Sequence, residues 1–207
     1  MPGEGYAWHW TVCPWLKGRI AALTPVADMS QVAMSLARFV RALQAIDPAG
    51  GPVSKFRGGP LAARDWASRA SAAALRDSVD VRPVLAAWGA AVAALASMGP
   101  PVWMHADLHP ANLLINDGEL TGVIDFGLLG VGDPACDLMV AWTYLSADAR
   151  QLLRDALAVD DPPWARGLGW ALHLGLTADA YSADNPVLGN IGLYTIAEVL
   201  ADSGQSH

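Results

Sequence analysis

The stretch Val102-Trp-Met-His105-Ala-Asp107-Leu-His109-Pro-Ala-Asn112-Leu-Leu-Ile-Asn-Asp117-Gly118-Glu-Leu-Thr-Gly-Val-Ile-Asp125-Phe-Gly127 decides how the rest of this chain is read. Three short apolar runs, Val102 to Met104, Leu113 to Ile115 and Gly122 to Ile124, alternate with polar clusters, and Asp117-Gly118 between the last two is a strong hairpin signal. Asp107 and Asn112 therefore lie on a loop entering the hairpin, and Asp125 lies just past its exit. Both loops emerge at the same end, which brings the three residues together. An amide oxygen and carboxylates so placed suit a hard cation such as Mg²⁺, which takes oxygen ligands and shares them with substrate phosphates.

His105-Ala-Asp107-Leu-His-Pro-Ala-Asn112 followed by Ile124-Asp125-Phe126-Gly127 resembles the catalytic and metal-binding loops of the aminoglycoside phosphotransferase family, kinase-like enzymes related to choline kinases and protein kinases. Four residues separate Asp107 from Asn112, as in the kinase catalytic loop. Gly132-Asp-Pro-Ala-Cys-Asp137-Leu resembles the segment that opens the next helix in that family. The resemblance implies Asp107 as catalytic base, Asn112 and Asp125 as Mg²⁺ and nucleotide ligands, ATP as phosphoryl donor and a small-molecule hydroxyl as acceptor. Ala106 departs from the glycine often found between His and Asp there; its methyl group is expected to be tolerated at negative φ.

Other readings of the same residues stay open at this point. His105, Asp107 and His109 alternate and could ligate the metal of a hydrolase. Asp107 or Asn112 alone would be turn residues, and Asp125 a strand-end carboxylate. A kinase-like lobe could also serve as a non-catalytic binding module. His105 and His109 are expected to brace the loop, and Asp133 before Pro134 to cap a helix.

With 207 residues, 53% hydrophobic and 16% charged, the chain is a well-buried globular protein of one main domain. A net charge of −7 disfavours nucleic acid. Cys13 and Cys136 cannot make a disulfide framework and read as small hydrophobes, so the default compartment is reducing and cytoplasmic. The uncharged run from Pro83 to Met104 is interrupted by Gly99-Pro-Pro101, which argues for a buried helix over a membrane span. Residues 1–18 lack a basic start and an apolar core, so no secretory signal is expected.

In chain order, Tyr6 to Leu16 is aromatic and extended-looking. In the resembling family such a strand closes the N-terminal lobe and leads into the adenine-binding hinge, so residues 1–18 are expected to be a hinge-like remnant and 19–207 a helical C-lobe. The family's Gly-rich loop and strand lysine find no match, and Lys17 is expected to be solvated; activity of the chain alone is accordingly expected to be impaired. The exposed strand should favour self-association or a partner lobe.

Asp28 opens a helix with Val32, Leu36, Phe39, Val40, Leu43 and Ile46 on its apolar side. Residues 49–60 form a Gly/Pro-rich loop ending Arg57-Gly-Gly-Pro60, also a pattern of one branch of the family; it is assigned no chemistry and reads first of all as a plain loop, with acceptor or nucleotide contact by Arg57 as the alternative. Helices over 61–75 and 83–97, the second carrying Trp88, are expected beneath the hairpin. Further helices are expected over 134–145, 147–157, 164–177 and 187–201. The resemblance makes the C-terminal helices the acceptor pocket, with Trp164, Arg166, Trp170, Tyr181, Asp184 and Asn185 as candidate lining, although indoles at helical spacing first of all fill cores and Asp-Asn-Pro is first of all a turn. The expected fold is mainly α, a protein-kinase-like C-terminal lobe with a small catalytic hairpin and an N-terminal hinge strand.

Overall fold

The computed structural model describes Gly5 and residues 12–97, 99–178 and 183–204. Its elements run β1 (Arg19–Ile20), α1 (Met29–Gln44), α2 (Asp65–Ala74), α3 (Val81–Ala93), β2 (Val102–Met104), β3 (Leu113–Asn116), β4 (Glu119–Val123), β5 (Gly130–Gly132), α4 (Val140–Thr143), α5 (Ala147–Leu157), α6 (Asp161–Ala178) and α7 (Pro186–Gly204). The helix-rich composition follows from alanine and leucine at helical spacing, with strands confined to the segments flanking the polar loops.

The hairpin forms as its turn chemistry requires. Asp117 (φ 52°) and Gly118 (φ 84°) both occupy the left-handed region, and β3 pairs with β4 from Leu113↔Val123 to Asn116↔Glu119. β1 extends this sheet by pairing Ile20 with Leu114. β2 belongs to a second small sheet with β5, in which Met104 faces Gly130 and Val102 faces Gly132. Of the expected hinge strand, residues 6–11 lie outside the described residues; 12–18 carry no strand, and the short strand beside the hairpin is Arg19–Ile20. Trp15 stands 94% exposed on this segment.

Asp28 caps α1, its carboxylate accepting from Ser30 N at 2.9 Å, while Val32, Leu36 and Val40 enter the core. Ile46 does not join them: α1 ends before Asp47-Pro48, leaving Ile46 half exposed. The element packed against β2 and β4 is α1, not the two following helices as the sequence had led us to expect. α2 and α3 lie instead against α6, which also packs on α7 and the 3₁₀ turn Pro134–Met139. That turn and α4 replace the single helix expected over 134–145. α3 starts at Val81, capped by Asp80, and stops at Ala93 rather than running to 97. Cys136 is buried as expected, whereas Cys13 is exposed. No helix among the described residues is long and apolar enough to cross a membrane.

Candidate active site

The loop between β2 and β3 is shaped by one buried carboxylate. Asp137, wholly buried, accepts from His105 N at 2.8 Å and Ala106 N at 2.7 Å. Burial pushes its pKa up to about 6, the two N–H donors restraining the rise. The bend so fixed puts Ala106 at φ 67°, in the left-handed region and not at the negative φ anticipated from sequence. His105 braces the loop with both ring nitrogens: Nδ1 lies 3.3 Å from Asp107 N, which donates to it, and Nε2–H donates to Ile124 O at 3.0 Å. Its ring is 4.8 Å from that of Phe126. A histidine so committed, neutral and with its pKa lowered by burial, has no lone pair for a metal, which removes the His105/Asp107/His109 hydrolase centre. Nor do the described residues contain any group of three His, Cys, Asp or Glu able to hold a metal ion.

Asp107 and Asn112 meet as their spacing suggests. Asn112 Nδ2 donates to Asp107 O at 3.0 Å and to Asp107 Oδ2 at 3.2 Å. The Asn112 backbone carbonyl accepts from Ile124 N at 2.9 Å, which ties the catalytic loop to the residue preceding Asp125. Asp125 is exposed in a left-handed conformation (φ 60°), its carboxylate accepting from Gly127 N at 3.2 Å. It forms the lip of a cavity of about 770 Å³, lined chiefly by Trp15, Leu16, Ile20, Leu114, Ile124 and Phe126. An apolar slot with a carboxylate at its rim suits a planar base with a charged tail. The donor set also fits Mg²⁺: with its Nδ2 committed to Asp107, Asn112 keeps Oδ1 as an oxygen donor, and Asp125 adds a carboxylate. Two protein oxygens are what a cation completed by water and phosphate requires.

Arg57, for which the sequence offers an acceptor or nucleotide contact only as a secondary reading, completes the site. Arg57 Nη1 donates to Asp107 Oδ1 and, at 3.0 Å, to Ala106 O. Burial alone would raise the Asp107 pKa, but the His109 contact and the charges of Arg57 and His109 outweigh it and hold the carboxyl at about 2. His109 Nε2 lies 3.5 Å from Asp107 Oδ2, and its Nδ1 is buried without a hydrogen-bond partner among the described residues. The loop carrying Arg57 is anchored by backbone bonds to β5 and beyond: Val131 N to Pro52 O, Ser54 N to Val131 O, and Asp133 N to Gly58 O. Gly58 is required there, since it sits at φ 77° and a Cβ would lie 2.0 Å from Met104 Cε. The glycine pair after Arg57 was the one trace of this in the sequence.

The acceptor candidates do not converge. Arg166 forms a buried bidentate pair with Asp133, at 2.6 and 3.1 Å, beside a separate cavity of about 440 Å³. Asp133 also caps the 134–139 turn through Ala135 N at 3.0 Å, as expected. Trp164 packs against Trp142 with the rings inclined at 49°, and Trp170 is buried, its Nε1 without a partner among the described residues. Asp184 is exposed, Asn185 caps α7 through Leu188 N at 3.2 Å, and Tyr181 lies outside the described residues.

The fold has counterparts among solved structures. The chain is similar in fold to the GDP and kanamycin complex of APH(2")-IIia, with a TM-score of 0.61 at 19% identity over 91% of this chain and 69% of that one. A spectinomycin phosphotransferase in complex with ADP and spectinomycin matches at TM-score 0.57 and 11% identity over 93% of this chain and 70% of that one. A macrolide 2'-phosphotransferase from Brachybacterium faecium matches at 0.52 and 23% over 90% and 68%. No match is found among curated protein sequences. The model of the phosphotransferase enzyme family matches residues 1–170, most of the chain, and the chain belongs to this family.

Proposed function

We propose that the protein transfers the γ-phosphoryl group of ATP to a hydroxyl of a small molecule. The observation that carries this reading is the linked geometry of Asp107, Asn112 and Asp125: a catalytic-loop carboxylate bonded to an amide, and that amide's backbone bonded to the residue before an exposed carboxylate at a cavity rim. The nucleotide base would lie in the slot between residues 13–20 and the hairpin. Asn112 Oδ1 and the Asp125 carboxylate would hold Mg²⁺, which supplies the charge that offsets developing negative charge on the phosphates. The Asp107 carboxylate would orient the acceptor hydroxyl and receive its proton as the phosphoryl group departs. With a pKa of about 2, Asp107 is a weak base, so its main contribution is orientation. A transition state that is largely dissociative needs little more. The nucleotides and antibiotics held by the structural relatives support a nucleotide donor and a small acceptor.

The test is ATP consumption by the purified chain against a panel of hydroxyl-bearing acceptors. Asp107→Asn should lower turnover by about 10² to 10⁴ and leave nucleotide affinity nearly unchanged. Asp125→Ala should instead weaken Mg²⁺-nucleotide binding. Full transfer by Asp107→Asn to the true acceptor would remove Asp107 from its role.

A further inference from the structure

We infer that Arg57, assisted by Lys55 and Arg64, forms an oxyanion-binding site beside Asp107, made for a phosphate or carboxylate group. Among the described residues only one nitrogen of the Arg57 guanidinium finds partners: Nη1 serves Asp107, Ala106 O and the Met139 sulfur at 3.7 Å. Nε and Nη2 donate to no described residue, although the side chain is only 17% exposed. These two nitrogens form the edge of the guanidinium that binds an oxyanion through two parallel hydrogen bonds. An arginine held on one side by a carboxylate and open on the other is preorganised for such a ligand, because its long side chain is already immobilised.

The surroundings reinforce the charge. Arg64 reaches over the loop to Lys55 O at 3.3 Å, which sets it against the segment that carries Arg57. Neither Lys55 nor Arg64 pairs with a carboxylate among the described residues. The acids nearest in sequence or space are otherwise engaged: Asp65 with Arg69 and Trp88 Nε1, Asp133 with Arg166, Asp137 with backbone N–H groups. His173 of α6 records the local field, its pKa lowered first by burial and further by Arg57 and Arg64. Three cations on the loop and the turn that follows it, Lys55, Arg57 and Arg64, concentrate positive charge on one segment of a chain with net charge −7, which favours the approach of anions there.

The inference rests on the phosphotransferase reading for the source of the oxyanion, which is either the nucleotide's terminal phosphate or an anionic group on the acceptor. A polycationic acceptor is disfavoured at this face. The experiment is a calorimetric titration of inorganic orthophosphate into the whole chain, repeated with Arg57→Gln, Arg57→Lys and the exposed Lys55→Gln. Orthophosphate should bind saturably, about tenfold or more weaker in Arg57→Gln, with Arg57→Lys between because it keeps charge and loses the fork. Lys55→Gln, at an exposed position, should weaken binding about twofold to threefold and so carries the test even if an Arg57 variant fails to fold.

Repeating the titration with Mg²⁺ and a non-hydrolysable ATP analogue separates the sources. Competition assigns the oxyanion to the nucleotide, joint binding assigns it to the acceptor, and both uphold the site. Equal orthophosphate affinity in the wild type and Arg57→Gln, or none in the wild type, would overturn it. Because the readout is binding, a chain that binds orthophosphate through Arg57 yet phosphorylates no acceptor would sink the transferase reading and leave this one standing.

Discussion

The loop 105–112 and the loop 47–60 both reach the Asp107 carboxylate, the first holding it through its own side chains and the second through a guanidinium brought from fifty residues away. The first is folded by side chains whose identities matter: the Asp137 carboxylate grips two of its N–H groups, and His105 and Asn112 close the turn. The second is folded by backbone bonds to 131–133 that almost any residue could make. A loop of the first kind announces itself in sequence, and its failure follows deletion of one polar group. A loop of the second kind is silent except where a side chain would not fit.

Asp137→Ala should therefore have the largest effect, because it strands two buried N–H donors at once. At about 1–3 kcal/mol for each unsatisfied group, the loss should be about 3 kcal/mol or more by denaturant unfolding. Asp137→Asn should lose less, its amide satisfying one N–H and opposing the other. Titration distinguishes the charged side chain from its amide. The folded-state pKa of Asp137, about 6, lies above its ordinary 3.8, so its favourable contribution is complete below the lower value and lost as pH rises through the upper. Wild-type stability should fall relative to Asp137→Asn across that window; a constant difference would mean that the carboxylate does not titrate there.

Gly58→Ala probes the second loop. The added methyl group meets Met104 Cε and Sδ, which are buried, and a left-handed φ penalises it further. A loss of about 1–3 kcal/mol is expected, with orthophosphate binding reduced because Arg57 shifts with its loop. A stability loss with unchanged orthophosphate binding would show that loop position and Arg57 position are independent.

What could be read beforehand follows the same division. The hairpin, the Asp107–Asn112 contact and the bracing role of His105 were legible because each depends on residue types at fixed short spacing. Helix α5 was legible to the residue, and α1 because Asp28 and Asp47-Pro48 mark its ends. Arg57 was legible only as a secondary candidate, and its pairing with Asp107 not at all: nothing local says that a guanidinium on a Gly/Pro-rich loop will cross to a carboxylate fifty positions on. The partners of Arg166 were hidden for the converse reason. Helical spacing puts it on a face, but only the fold shows that Asp133 meets it there and takes two of its hydrogen bonds, with Leu95 O taking a third. Trp170 went to the core and Trp164 to its edge, where their size and spacing would have put them without any functional argument.

The smallest effect is expected at Ala106, where three terms nearly cancel. The residue is wholly buried at φ 67°, a conformation that costs an L-residue roughly 1–2 kcal/mol. Ala106→Gly relieves that strain, but it forfeits burial of one methyl group, about 0.8 kcal/mol, and restores freedom to the unfolded chain worth about 0.4–1 kcal/mol. The net change should lie within about 1 kcal/mol of zero. In ordinary helical backbone the strain relief is absent and the same substitution at a buried position is a clear loss. Denaturant midpoints of the two proteins measure the difference, and the slopes should match. A loss well beyond 1 kcal/mol would place Ala106 at negative φ after all, and with it the assumption that Asp137 bends the catalytic loop into the left-handed region would fall.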